Sequence, residues 1–150
     1  MKRQIFKSKI HRATVTGANV NYEGSITIDP VLMNAADIVP YEAVHVWNIT
    51  NGTRLITYAI DGEKDSGEIC VNGAGAKLCK IGDLIIIATF AEMTSKKARR
   101  WNPIVVKVNN KNLASLKCEG LVIPVILNGN QNHIQRNIWD DDEDDEDDEE

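Results

Sequence analysis

Cysteine is scarce in this 150-residue chain, and its spacing is uninformative. Cys70, Cys79 and Cys118 form no Cys-x-x-Cys pair and have no histidine at ligand spacing, which argues against a zinc site and against a disulfide framework. Reduced, structural thiols are expected. Aromatic residues make up only 5% of the chain and are not interleaved with the basic ones, unlike the stacking platforms of single-strand nucleic-acid binders. No stretch approaches the roughly 20 consecutive apolar residues of a membrane-spanning helix. The basic start, Met1-Lys2-Arg3, runs into Ser8-Lys9-Ile10-His11 without the apolar core of a signal peptide, so a cytoplasmic protein is expected. Neither a Ser-His-Asp arrangement nor the glycine spacing of a nucleotide loop occurs.

Positive charge is scarce only in appearance. The formal charge is −5, yet residues 140–150 are an unbroken acidic run of 11, and without it 17 basic residues face 22 − 11 = 11 acidic ones, or +6. The acidic groups repel one another within a screening length of about 8 Å. Residues 128–150, polar and then acidic, are therefore expected to be a disordered tail behind a single domain over residues 1–127. A domain of this size buries roughly 70% of its unfolded surface, which suffices for a core without staples.

Short apolar or alternating runs separated by turn chemistry predict a mainly β fold. The candidate strands are Ile10 to Thr16, Ser25 to Ile28, Ala43 to Ile49, Arg54 to Ile60, Ile69 to Val71, Leu84 to Met93, Ile104 to Asn109 and Leu121 to Leu127. So many strands favour a closed barrel, which leaves no edges exposed. Asp29-Pro30 reads as a helix cap followed by proline in the first turn, opening a brief helix to Ala36, and Thr94 or Ser95 caps another. Asn51-Gly52 suggests a type I′ hairpin turn.

Tyr22-Glu23-Gly24-Ser25 carries the most distinctive chemistry. A serine hydroxyl can attack the preceding carbonyl, and glycine there offers no Cβ to block it. The resulting ester can eliminate to dehydroalanine and hydrolyse to a pyruvoyl group. The same dipeptide is also an ordinary loop pair. Lys9 and His11 share one face of the first strand, as an anion grip or a solvated basic face. Arg54 and Tyr58 share a face of a later strand, where a guanidinium can hold a carboxylate beside a phenol able to move a proton, while Thr57 points the other way. For all three to serve one site, the strand must bulge or the site must lie between subunits. The run Val71-Asn72-Gly73-Ala74-Gly75-Ala76 is small enough for close approach of backbone N–H groups to an oxyanion.

Together Lys9-Ile10-His11-Arg12, Tyr22-Glu23-Gly24-Ser25, Trp47-Asn48-Ile49-Thr50-Asn51-Gly52-Thr53-Arg54, Thr57-Tyr58-Ala59-Ile60 and Val71-Asn72-Gly73-Ala74 closely resemble, in order and spacing, the pyruvoyl-dependent L-aspartate 1-decarboxylases. Ile81-Gly82-Asp83 and Ile123-Pro124-Val125 extend the resemblance to about Leu127. It implies a double-psi β-barrel in a homotetramer with sites between subunits. It implies self-cleavage of a zymogen at Gly24-Ser25 into a β chain of residues 1–24 and an α chain beginning at residue 25, assisted by Thr57 and Asn72. Ser25 becomes the covalent pyruvoyl cofactor that takes L-aspartate as a Schiff base and releases β-alanine for pantothenate synthesis. Tyr58 is then the proton donor, Arg54, Lys9 and His11 supply positive charge, and Thr57, Gly73, Ala74 and Gly75 line the substrate pocket. No metal, nucleic acid or membrane is implied, and a maturation helper protein is left open. Gly75 departs from the alanine common in the family, and the tail has no counterpart. The competing reading is a non-catalytic β-barrel binding module with an autoinhibitory acidic tail, which leaves Gly24-Ser25, Thr57 and Tyr58 unexplained.

Overall fold

The computed structural model describes residues 1–114, in eight strands, two short α-helices and one 3-10 helix. The expected strand Leu121 to Leu127, Ile123-Pro124-Val125, Cys118 and the polar and acidic tail lie outside the described residues.

The chain runs β1 (Lys2–Thr14), β2 (Gly17–Asn19), β3 (Ser25–Ile28), α1 (Pro30–Ala35), β4 (Ala43–Asn48), β5 (Arg54–Asp61), β6 (Ile69–Asn72), the 3-10 helix Gly73–Lys77, β7 (Leu84–Thr94), α2 (Ser95–Ala98) and β8 (Ile104–Lys107). The lateral order is β2-β6-β3-β5-β4-β7-β1-β8. β6 and β7 are brought together through the chain itself, because β1 passes directly into β2. Thr14 still pairs with Leu84 of β7, the Val15 amide donates to the Asp83 carbonyl (2.9 Å), the Thr16 amide donates to the Ile69 carbonyl (2.8 Å), and Gly17 pairs with Cys70 of β6. One strand path thus leaves β7 and arrives at β6, closing a barrel and removing two edges. Asn112 clamps this crossing, its side chain bonding both Thr14 backbone groups (2.7 and 2.8 Å) and the Gly67 carbonyl (2.7 Å).

The interior is filled by alternate residues. In β4, Val44 and Val46 are buried while His45 and Trp47 stand half-buried on the outer side, the period-2 pattern that predicts a strand with one solvated face. Ile10, Ile26, Ile28, Ile69, Val71, Ile85 and Ile87 complete the core with Leu32 and Met33 of α1. The mainly β expectation and most strand positions hold. β1, however, begins eight residues earlier than expected. Its polar N-terminal half pairs with β7 through the backbone from Lys2↔Thr94 onward, and register shifts at Phe6/Ser8 and Ile10/Ala13 break the alternation that would have revealed it. The Gly17–Asn19 strand lacks β-branched residues and gave no signal. The β4–β5 hairpin has a five-residue loop rather than a type I′ turn. Only Gly52 takes a positive φ (+77°), while the Asn48 and Asn51 side chains accept backbone N–H groups within the loop.

Asp29 starts α1 as expected, its carboxylate accepting from the Val31 amide (2.9 Å), and also ties down the β5–β6 loop through the amides of Asp65 (3.2 Å) and Gly67 (2.9 Å). Replacing this buried carboxylate by Asp29→Ala leaves three donors unpaired. Urea denaturation should show a loss of about 2 to 4 kcal/mol, against less than about 1 kcal/mol for an exposed carboxylate such as Glu92→Ala.

Candidate active site

Ser25 is the first residue of β3, and its side chain is 1% exposed. In the antiparallel β3–β6 ladder it stands opposite Asn72, whose Nδ2 donates to Ser25 Oγ at 3.0 Å. The hydroxyl in turn donates to the Glu23 carbonyl at 3.1 Å. A second bond from Asn72 Nδ2 reaches Thr27 Oγ1 (3.0 Å), and the Cys70 thiol donates to Asn72 Oδ1 (3.4 Å). Asn72 therefore addresses the serine oxygen itself.

The same register that sets Ser25 opposite Asn72 brings the following residue, Gly73, against Gly24. A Cβ built on Gly73 would lie 2.7 Å from Gly24 Cα and 2.8 Å from Gly24 N, and Gly73 holds φ +69°, so no side chain fits there in either space or conformation. Close backbone approach, anticipated from the small-residue run, is directed at the Gly24-Ser25 segment.

Ser25 lies between two cavities. One, of about 310 Å³, is largely apolar and is lined by Gly24, Ser25, Leu55, Thr57, Asn72 and Ala74, with Gly75 and Leu78 at its wall. The other, of about 350 Å³, is more polar and is lined by Tyr22, Glu23, Ser25, Tyr41, Tyr58 and Asp61. Thr57 and Tyr58 point to opposite faces of β5, as strand periodicity requires, and yet both reach Ser25 surroundings. The reason is topological. The parallel β3–β5 ladder starts at Ile26↔Ala59, so Ser25 sits at the ladder's end, where both faces are open. No bulge in β5 is needed to reconcile these two residues. Leu55, Ile56 and Thr27 gave no sequence signal as site residues, since an apolar or hydroxyl side chain in a strand is ordinary; Tyr41, in the turn before β4, gave none either, and Tyr22 entered only as part of the Tyr22-Glu23-Gly24-Ser25 motif.

Lys9, His11 and Arg54 line neither cavity. Arg54 stacks over Trp47 (5.0 Å to the ring centre) and Lys9 over Phe6 (5.8 Å). Between them His45 meets Phe90 edge-on at 4.8 Å, and Phe90 neighbours Phe6 and Trp47 at 6.2 and 6.4 Å. The two cations thus end an aromatic band across the outer face of β5, β4, β7 and β1. One cross-strand row of that face runs Ile56↔His45↔Ala88↔Lys9, and Ile56 also lines the Ser25 cavity. His11 pairs with Lys107 of β8, and its Nδ1 is buried without a hydrogen-bond partner. Burial, then the charges of Lys9, Arg12 and Lys107, hold its pKa below the ordinary histidine value. The same neighbours that make a positive patch thus disfavour the charged form of His11.

Among the described residues, no group of three His, Cys, Asp or Glu side chains could hold a metal ion, and no helix is long and apolar enough to cross a membrane.

Residues 1–115 match the aspartate decarboxylase family profile. The chain is 61% identical over 112 residues to the aspartate 1-decarboxylase of Myxococcus xanthus and 57% identical over 113 residues to that of Syntrophotalea carbinolica, in each case covering 75% of this chain and 86% of the relative. It is 56% identical over 112 residues to the aspartate 1-decarboxylase of Thermoanaerobacter pseudethanolicus, covering 75% and 96%. A partial likeness to the rationally designed protein mkDPBB_sym_86 has a TM-score of 0.41 at 8% identity and spans 51% of this chain and 90% of that one. On the family profile and these relatives, the chain belongs to the aspartate decarboxylase family.

Proposed function

We propose that this protein cleaves itself between Gly24 and Ser25 and then decarboxylates L-aspartate to β-alanine, the precursor used in pantothenate synthesis, in a cytoplasmic setting. The observation that carries the reading is the buried Ser25 hydroxyl held between one donor, Asn72 Nδ2, and one acceptor, the Glu23 carbonyl. A surface loop serine has no use for such confinement.

In the processing step Ser25 Oγ adds to the Gly24 carbonyl carbon, its proton leaving toward the acceptor side. The C–N bond then breaks, giving an ester and a free amine on residue 25. Asn72 stabilises the oxygen as its proton departs, and Thr57, on the same cavity wall, faces the segment whose carbonyl oxygen gains charge. Loss of the residue 25 α-proton expels the Gly24 carboxylate. Addition of one water to the dehydroalanine tautomer and loss of one ammonia leave a pyruvoyl group at the head of β3.

The surroundings fit that group. Residue 25 opens onto two cavities large enough for a small amino acid, and a Cβ built on Gly24 meets no heavy atom within 4 Å. The pyruvoyl carbonyl supplies the electron-withdrawing partner for the substrate amine that loss of CO₂ requires. Tyr58, in the polar cavity with Ser25, delivers the proton that replaces the lost carboxyl group. Ala74 and Gly75 line the apolar cavity with Gly73 packed against Gly24 beside it, Arg54 and Lys9 hold substrate carboxylates, and His11 contributes polarity near Lys9.

Because Arg54 and Lys9 stand outside the cavities of their own chain, the site is completed by a second copy, in a homotetramer. Exposed Tyr41 (78%), Ile56 (68%) and Tyr22 (53%) at the cavity rims support a covered surface there.

Intact-mass measurement on protein purified alone should show two chains split after Gly24, the larger lighter by one ammonia than simple hydrolysis of the peptide bond would give. Ser25→Ala should stay a single chain and make no β-alanine; activity in that variant refutes the pyruvoyl route. Gly73→Ala should slow cleavage at least about tenfold, since backbone must move and φ is positive, whereas Gly75→Ala, which meets only side-chain atoms of Leu55 and Val71 at 3.2 Å and beyond, should cleave near the normal rate. Arg54→Ala should lower kcat/KM about tenfold to a hundredfold. Co-expressing Arg54→Ala with Ser25→Ala should restore about a quarter of normal activity if each site draws on two chains, by random assortment in a symmetric oligomer. No recovery overturns the shared site.

A further inference from the structure

Ser25, Thr27, Cys70 and Asn72 form a polar quartet on one face of the β3–β6 ladder. Ser25 stands opposite Asn72 and Thr27 opposite Cys70, so period-2 alternation puts all four on the side away from the Ile26, Ile28, Ile69 and Val71 core. The Asn72 amide is at its centre with every contact specified. The Ser25 proton is committed to the Glu23 carbonyl, so Ser25 Oγ can only accept, and the Asn72 edge facing it must be the NH₂ group. The opposite edge, Oδ1, receives the Cys70 thiol at 3.4 Å, and the NH₂ group is shared with Thr27 Oγ1 at 3.0 Å. Burial, then the Glu68 carboxylate, raise the Cys70 pKa, which keeps the sulfur protonated as a donor. Gly17, facing Cys70 in the β2–β6 ladder, leaves room for the sulfur, since a Cβ built there would stand 3.0 Å from Sγ.

We infer that Cys70 and Thr27 are positioning residues for self-processing: the Cys70 thiol and the Thr27 hydroxyl together fix the Asn72 amide so that its NH₂ group meets Ser25 Oγ. An unanchored amide has two orientations related by a half-turn, and one of them turns a carbonyl oxygen toward the nucleophile. Two lone pairs then face each other, and the donor that stabilises the departing proton's oxygen is lost. The inference rests on the cleavage reading given above, and deepens it by naming what holds the assisting group.

The test compares two pairs of variants for the rate of chain cleavage, followed by intact mass in freshly purified precursor. Cys70→Ala and Thr27→Val, which remove the anchoring atoms at similar size, should each slow cleavage about threefold to tenfold, the span expected for one neutral hydrogen bond. Cys70→Ser and Thr27→Ser, which keep a hydroxyl, should cleave within about twofold of the normal rate. A merely structural role would lower the melting temperature without distinguishing the partners of each pair. Equal rates within both pairs overturn the inference while leaving self-cleavage intact, and should one pair fail to fold, the other decides. If the unaltered chain does not cleave at all, it is the proposed function that fails.

Discussion

The pairing register between β3 and β6 is the constraint on which the site depends. Setting Ser25 opposite Asn72 delivers an amide to the hydroxyl, and by the same step sets Gly24 against Gly73, where two backbones come closer than any side chain allows. A slip of one residue would turn Ser25 toward the core and bring Ile26 into its place. What prevents the slip is apolar: Ile26, Ile28, Ile69 and Val71 are all fully buried on the other face of the ladder. The barrel closure reinforces it, because β2 is docked on the free edge of β6 and carries the chain directly into the Tyr22–Gly24 turn. Hydrophobic burial thus fixes chemistry that none of the apolar residues performs.

Much of this was legible from spacing. Ser25–Ile28 appears as a strand with the expected bounds, Asp29 caps α1, and Asn72 and Gly73 fall where the small-residue run put them. What sequence could not convey was the partner of each strand. Asn72 was expected to assist self-cleavage, but which atom it addresses was not legible, and its contact with Ser25 Oγ is a fact of register alone. Thr57 and Tyr58 posed a parity conflict that assumed a site in the middle of a ladder; it dissolves because Ser25 occupies a ladder's end. The early start of β1 was hidden by two register shifts, and β2 by residues of low strand propensity, since backbone pairing leaves no mark on side-chain pattern.

The separation of Arg54 and Lys9 from Ser25 within one chain has a physical logic. Cations set beside the cavity of their own chain would have to be desolvated during folding, with no carboxylate yet present to compensate. Stacked on Trp47 and Phe6, their charges remain near water while their planes and stems cover aromatic surface. Assembly can then bring them to the cavity mouth, where Ile56 already joins the aromatic band to the Ser25 pocket. In the proposed assembly, electrostatic demand would shift from folding to association, with two cations held at the ends of one aromatic band.

The two openings around residue 25 also divide the labour of the proposed reaction in time. Before cleavage, the hydroxyl is held between Asn72, which lines the apolar cavity with Thr57, and the carbonyl of Glu23, which borders the polar one. Conversion to a pyruvoyl group removes that hydroxyl, and with it the bond to Glu23 that ties the Tyr22–Gly24 turn to residue 25. Tyr22 and Glu23 are also walls of the polar cavity that contains Tyr58. The proposed processing would therefore loosen the wall between residue 25 and Tyr58 at the moment the carbonyl is made. In the proposed sequence the Asn72 contact serves the first reaction and Tyr58 the second, and one position can meet both because it lies where a strand ladder ends.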